Sequence, residues 1–208
     1  MKTLNLLAAF CFAVFFSTMG FGQIAGSAHD FTTESWNSSG EMCNACHTPH
    51  NSLTIADAPL WDHQVSVATF TLYTSPTMNG TFGVGAQPSG SSKLCLSCHD
   101  GTVALDNFGG VTTGTNFITG VGNVGIDLSN DHPVSFTYDA ALATADGGLF
   151  NPTTANSGLG STVTADLLYA GKVECSSCHD VHRGGSATGK LLVKSNAASA
   201  LCLTCHDK

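Results

Sequence analysis

The chain has 208 residues and a formal net charge of −8, from seven Lys and Arg against fifteen Asp and Glu, and only 11% of its residues are charged. This balance argues against nucleic acid as a partner, because phosphate contacts need clustered cations. The longest apolar run, Leu6–Phe16, is too short to span a bilayer. Nine Cys and nine His in one chain are the unusual feature of the composition.

The first 22 residues have the pattern of a secretory signal peptide. Lys2 supplies the positive charge that precedes the apolar run, and glycines at 20 and 22 precede an expected cleavage before Gln23. We therefore expect a secreted mature chain, Gln23–Lys208, that keeps eight of the nine cysteines.

These eight cysteines form four copies of C-x-x-C-H. The motifs are Cys43, Cys46 and His47; Cys95, Cys98 and His99; Cys175, Cys178 and His179; and Cys202, Cys205 and His206. The spacing is the attachment signal for c-type haem. Two thiols three positions apart can form thioethers with one porphyrin, and the next residue then supplies an imidazole to its iron. We predict four covalently bound c-type haems.

Three other interpretations of the cysteines are weaker. A disulfide framework would explain the even number of cysteines but not a His after every second one. Structural zinc does not require an invariant five-residue unit. A thioredoxin-like pair would occur once rather than four times.

Five histidines lie outside the motifs: His29, His50, His63, His132 and His182. Four haems need four further axial ligands, so every iron can be bound by two histidines with one histidine left over. Iron with two protein ligands has no open position for a substrate, so we predict an electron carrier of low potential and not an enzyme.

The order of motifs occurs twice along the chain. Each copy has an isolated histidine (His29 or His132), then C-x-x-C-H-x-x-H, then S-x-L-C-L-x-C-H-D. We predict a first two-haem module at 23–110 and a second at 111–208, after the signal peptide at 1–22. His50 and His182 lie three residues after a motif histidine, on the same side of a helical turn, so each should bind a neighbouring haem. His63 is supernumerary, and we favour an ordinary non-ligand role for it.

We expect a mostly irregular, loop-rich fold with few short helices and strands, in which the haem stack serves as the core. Alternating apolar residues predict strands at Val65–Tyr73 and Val134–Tyr138. Ala197–His206 is the best helix candidate. Gly120–Gly125 matches the dinucleotide pattern G-x-G-x-x-G, but it lacks a strand before it and a helix after it, so we assign it no nucleotide.

The segments 26–31, 46–51, 59–61, 94–101, 131–134 and 178–182 resemble multihaem cytochromes with doubled C-x-x-C-H motifs. With four motifs in a secreted chain, the sequence is most similar to the tetrahaem outer-membrane cytochrome E type. That resemblance implies extracellular filaments built head to tail from copies of the chain, with a continuous haem stack and with redox proteins or extracellular acceptors as partners. It also implies that one distal histidine comes from the adjacent subunit, and His29, near the mature N-terminus, is the expected donor.

Two alternatives stay open at this stage. A monomeric periplasmic tetrahaem shuttle would use the same ligands. A reductase with a displaceable distal histidine would need an iron that opens to a substrate.

Overall fold

The computed structural model describes residues 24–55, 58–83, 85–182 and 190–208. The predicted signal peptide at 1–22 lies outside these ranges. Within them, no helix is both long and apolar enough to cross a membrane.

Regular structure is sparse in the described residues, which confirms the expected loop-rich fold. Three helices span Gly90–His99 (α1), Ala140–Asp146 (α2) and Val163–Leu167 (α3). Two strands, Phe136–Thr137 (β1) and Lys172–Val173 (β2), pair antiparallel. Short 3-10 turns lie at Gly120–Gly122, Cys175–Ser177, Ala197–Ser199 and Cys202–Thr204.

Local side-chain contacts set the ends of the short helices. Asp139 caps α2 by accepting a hydrogen bond from the backbone N–H of Leu142 at 2.8 Å, and Gly147 ends that helix with a φ of 70°. Thr162 caps α3 through the N–H of Ala165. Helices of only one or two turns are marginal on their own. The caps satisfy backbone groups at their ends, and packing against the rest of the chain supplies the remaining stability.

The predicted strand at Val65–Tyr73 is wrong. The segment makes one isolated bridge, from Thr71 to Asp127, and forms no strand. Side chains satisfy further backbone groups of this segment. The side-chain amide of Gln87 accepts a hydrogen bond from the N–H of Phe70 and donates one to its carbonyl. The hydroxyl of Ser97 accepts from the N–H of Ser66. Backbone groups satisfied in this way need no neighbouring strand.

The prediction for Val134–Tyr138 is confirmed only for its centre, since β1 covers two residues. Phe136 lies opposite Val173, and Thr137 lies opposite Lys172.

The predicted helix at Ala197–His206 is also wrong, because the segment folds as two 3-10 turns. Ala198 and Ser199 have positive φ angles of 51° and 62°, which an α-helix does not allow. The side chain of Asn196 accepts the N–H of Leu201, a local bond that competes with the helical one.

The protein core is divided into three small clusters, each beside a cysteine motif. The largest surrounds β1, β2 and α3 and includes Phe136, Tyr138, Val163 and Leu167, with Cys205 packed against it. A second cluster, Ala58, Trp61 and Leu94, contacts Cys46. A third contains Phe70, Leu96 and Leu128.

Contacts cross the predicted module boundary at residue 110. The backbone N–H groups of Val124 and Gly125 both donate to the carbonyl of His99, so the glycine-rich loop of the second module packs against the second motif. The division into modules at 23–110 and 111–208 remains a prediction.

Candidate haem-binding sites

Each motif places its two cysteines and its histidine on one helical turn. In the first, third and fourth motifs, the N–H of the histidine donates to the carbonyl of the first cysteine, over 2.8 Å for His47 and 3.0 Å for His179 and His206. The second motif lies at the C-terminal end of α1. All eight cysteines in the described ranges are free thiols. This arrangement leaves both thiols and the imidazole of each motif available to one ligand.

Backbone carbonyls orient three of the four motif histidines. The Nδ1 atom of His47 lies 3.1 Å from the carbonyl oxygen of Pro59, that of His99 lies 2.6 Å from Gly122, and that of His179 lies 2.7 Å from Lys190. An Nδ1–H that donates to a carbonyl fixes the tautomer and leaves Nε2 free to bind a metal. The sequence analysis missed these contacts because a carbonyl acceptor leaves no trace in side-chain spacing.

The first and third motifs have the same local structure. Asp62 donates its N–H to the carbonyl of Cys46, and Val193 donates to the carbonyl of Cys178 at the matching position. The residues that complete these two turns, Leu60 and Leu191, both have positive φ angles, 58° and 50°. The internal repeat of the sequence is therefore also a repeat of backbone geometry.

Three motif histidines face a second imidazole. The ring centres are 5.9 Å apart for His29 and His99, 6.2 Å for His47 and His182, and 6.3 Å for His132 and His206. Metal–imidazole bonds are about 2.0–2.1 Å long, so two imidazoles on opposite sides of one ion have ring centres about 6 Å apart. The observed spacings fit pairs of axial ligands.

A cavity of about 390 Å³ shows that the fourth motif has room for a bulky apolar group. His132 and His206 line it together with Cys202 and Cys205. Its walls are largely apolar and include Tyr138, Leu142, Leu149, Leu167 and Val173. Two thiols and two imidazoles around an apolar cavity are the donor set that a covalently bound haem requires, so the residues present fit this group.

His29 lies in a partly buried position that suits a metal ligand. Burial, with a further contribution from the neighbouring His99 and His179, lowers the pKa of His29 to about 4. Its Nδ1 is buried, with no hydrogen-bond partner among the described residues. A neutral imidazole has the free lone pair that a metal needs. Its ring lies against His99 of the same chain, and its expected donation to a neighbouring subunit stays a prediction.

The other two predicted ligands, His50 and His179, have no second imidazole among the ring contacts of the described ranges. Both side chains are exposed. They stay predicted ligands, and their partners are considered below.

His63 differs from the motif histidines because a carbonyl oxygen lies beside each of its ring nitrogens, and a neutral ring donates to only one of them. It is 1% exposed, with Nδ1 2.8 Å from the carbonyl of Gln64 and Nε2 3.1 Å from that of Ala104. Burial lowers the pKa of His63, and the two carbonyls oppose that shift. This geometry favours the predicted non-ligand role, in which the ring packs 3.4 Å from the Sγ atom of Cys98.

The four motifs are neighbours in the order of the chain. Cys46 of the first motif packs against a cluster that contains Leu94, on the helix of the second motif. Burial, with a contribution from Cys46, raises the pKa of Cys98 to about 12. Cys95 of the second motif donates a hydrogen bond to Cys175 of the third, which raises the pKa of Cys95 and lowers that of Cys175.

The third and fourth motifs are also close. Burial raises the pKa of Cys205 to about 11, and the thiol of Cys178 contributes to the increase. Cys178 of the third motif also lines the same cavity as Cys202 and Cys205 of the fourth.

Comparison with known families agrees with this chemistry. The family model for the doubled CXXCH motif (Paired_CXXCH_1) matches residues 169–208, which contain the third and fourth motifs. No curated protein matches the chain. The doubled motifs indicate a multihaem c-type cytochrome, an electron-transfer protein that binds haem covalently.

Proposed function

We propose that the chain is a tetrahaem electron conduit that assembles into an extracellular filament. The observation that carries the proposal is that consecutive motifs pack against one another. Cys46 packs against a cluster that contains Leu94 of α1, and Ser92 of α1 accepts the N–H of Cys175. Cys178 lines the same cavity as Cys202 and Cys205. Bound haem iron supplies a reversible one-electron couple. The chain fixes the spacing and the ligands of four such centres.

The internal repeat predicts the fourth ligand pair. The repeat relates the pair His29–His99 to the pair His132–His206, since each joins an isolated histidine to the second motif of its own copy. Under the same relation, the pair His47–His182 corresponds to a fourth pair formed by His179 and His50. Each iron then has two histidines, which supports a carrier and not a reductase.

Surface composition supports assembly of copies. The glycine-rich segment Gly120–Gly125 and the residue after it expose Val121, Val124 and Ile126, three apolar side chains within six residues of one another. Exposed apolar groups that lie close together mark interaction surfaces. With only 11% charged residues, the chain also has few charges to desolvate on packing against a copy.

Haem stoichiometry is the first test. Intact-mass measurement of the mature protein should show four haem additions, and a Cys202→Ala/Cys205→Ala double variant should show three. Three or fewer in the unaltered protein would overturn the tetrahaem assignment. As a control, His63→Gln should keep all four, because it removes no attachment point.

Filament formation is tested by negative-stain electron microscopy of material sheared from expressing cells, with haem staining of the same fraction. Thin haem-positive filaments of this polypeptide are expected. Haem-positive protein found only as a monomer in the periplasm would overturn the filament and support the shuttle.

The carrier role is tested on the reduced protein with carbon monoxide. We expect a low-spin spectrum with no carbon monoxide binding, because eight histidines fill eight axial positions. A high-spin iron that binds carbon monoxide in the unaltered protein would support the reductase instead.

A further inference from the structure

A buried carboxylate lies at the junction of the second and third motifs. Glu174 is 2% exposed, and it directly precedes Cys175 in the chain. Its carboxylate accepts hydrogen bonds from the hydroxyl of Ser135 at 2.8 Å, from that of Ser89 at 3.4 Å, and from that of Ser92. Three hydroxyl donors are an unusual set of partners for a buried acid, which is ordinarily paired with a cation.

The same hydrogen bonds fasten one motif to the other. Ser92 lies on α1, the helix that carries the second motif, and its hydroxyl also accepts the N–H of Cys175 at 2.9 Å. The hydroxyls of Ser91 and Ser176 bond across the same junction. Cys95 and Cys175 meet beside this network.

The junction is closely packed around the carboxylate. A Cβ atom at Gly90, where φ is +52°, would lie 3.1 Å from Oε1 of Glu174. Both the positive φ and the close approach therefore favour glycine at this position. The carboxylate holds a fixed position between the first turn of α1 and the third motif.

The negative charge of Glu174 is only indirectly compensated. Among the described residues, no cation forms an ion pair with it. The nearest ammonium contact in the network is that of Lys172, whose Nζ lies 3.3 Å from the hydroxyl of Ser89 and not from the acid itself. In a site shielded from water, a negative charge favours the more positive, oxidised state of a nearby redox centre and lowers its reduction potential.

We infer that Glu174 is a positioning residue that holds the second and third haem sites together and lowers the reduction potentials of this central pair. The inference rests on the proposed function, since it requires haem at both motifs. Lower potentials in the middle of the series would make electrons rest preferentially at the outer sites.

The test is a spectroelectrochemical titration of the haem-loaded Glu174→Gln variant. Glutamine keeps the shape and accepts hydrogen bonds but removes the charge, so part of the titration curve should shift to more positive potential. The matched control is Glu34→Gln, the same change at an exposed acid, which water screens. A Glu174→Gln curve that moves no further than the Glu34→Gln curve would overturn the inference.

A second variant separates the charge from the contacts. Ser92→Ala removes two hydrogen bonds of the junction but keeps the carboxylate. We expect it to lower the stability of the protein without the positive shift of potential. An equal positive shift in both variants would show that loosening of the junction, and not the charge, moves the potential, and would overturn the inference.

Haem content, measured by intact mass before each titration, distinguishes a failure of the proposed function from a failure of the role of Glu174. Fewer than four haems in the unaltered protein would count against the proposed function. Four haems in every variant with unchanged potentials would count against the role of Glu174 alone.

Discussion

The histidines of this chain differ in what holds their ring nitrogens. At His47, His99 and His179 a carbonyl lies beside Nδ1, whereas at His63 a carbonyl lies beside each nitrogen. A neutral imidazole has one N–H and one lone pair, so the His63 nitrogen that does not donate still faces a carbonyl oxygen on the side from which a metal would bind. This difference separates the predicted ligands from the supernumerary histidine more sharply than sequence position does.

Replacement of a distal histidine should open one iron. We expect His132→Ala to leave a five-coordinate, high-spin haem that binds carbon monoxide when reduced, because His132 is the ring opposite His206. The absorption spectrum and electron paramagnetic resonance measure the change. His63→Gln is the control and should stay fully low-spin; a high-spin signal there would show that His63 is a ligand after all.

The sequence predicts candidate haem-binding residues, but it does not predict which histidines lie opposite one another. The attachment motif is local, since five consecutive residues carry all of its chemistry. The imidazoles of His47 and His182 come from distant parts of the chain, and only the tertiary fold brings them together. The contact between the rings of His29 and His99 likewise leaves no trace in the sequence, and the donation of His29 to a neighbouring subunit stays a prediction.

At the scale of elements, two nearly identical nine-residue segments adopt different structures. Residues 92–100 and 199–207 match at seven positions, yet the first belongs to α1 and the second forms a 3-10 turn. The difference lies at the start of the second segment, where Ala198, just before it, and Ser199, its first residue, have positive φ angles. Flanking residues and packing override local propensity here, and a repeat in sequence therefore predicted the motif but not the helix.

The glycine-rich loop near the second motif gives a stability prediction. Gly101 has a φ of +72°, and a Cβ atom there would lie 2.7 Å from Nδ2 of Asn123. Gly109 has a φ of +62° with no atom within 4 Å of that position, so it is the matched control. We expect Gly109→Ala to cost about 1–2 kcal/mol of unfolding free energy from backbone strain alone.

Gly101→Ala should cost more than Gly109→Ala, because Asn123 follows Gly122, whose carbonyl orients His99. Denaturant unfolding of the haem-loaded proteins measures both costs. Equal losses in the two variants would mean that the close contact with Asn123 relaxes freely.

For the molecule as a whole, hydrogen bonds within the loops lower the pKa values of several aspartates. At Asp106, partial burial raises the pKa, but hydrogen bonds from the N–H and side-chain amide of Asn116 outweigh it and hold the pKa below its usual 3.8. The pKa values of Asp30 and Asp127 are lowered mainly by hydrogen bonds from neighbouring backbone and hydroxyl groups. In a fold with so little regular structure, these carboxylates organise the turns.

The sign of the resulting pH dependence follows from the lowered values. A carboxyl group with a lower pKa in the folded chain stabilises it at pH above 3.8, and this contribution is lost as the pH falls through the folded value. When the pH is lowered from about 5 to about 3, we expect the melting temperature of Asp106→Asn to fall by less than that of the unaltered protein. Parallel melting curves for the two proteins would contradict this.

The paired imidazoles have a consequence for how the protein takes up its cofactor. His132 and His206, with ring centres 6.3 Å apart, line a cavity of about 390 Å³ together with Cys202 and Cys205 in the folded chain. A flat macrocycle that entered this cavity would meet both thiols and both imidazoles with little rearrangement of the chain. The fourth site would then be preorganised, so that less of its binding free energy is spent on ordering the protein.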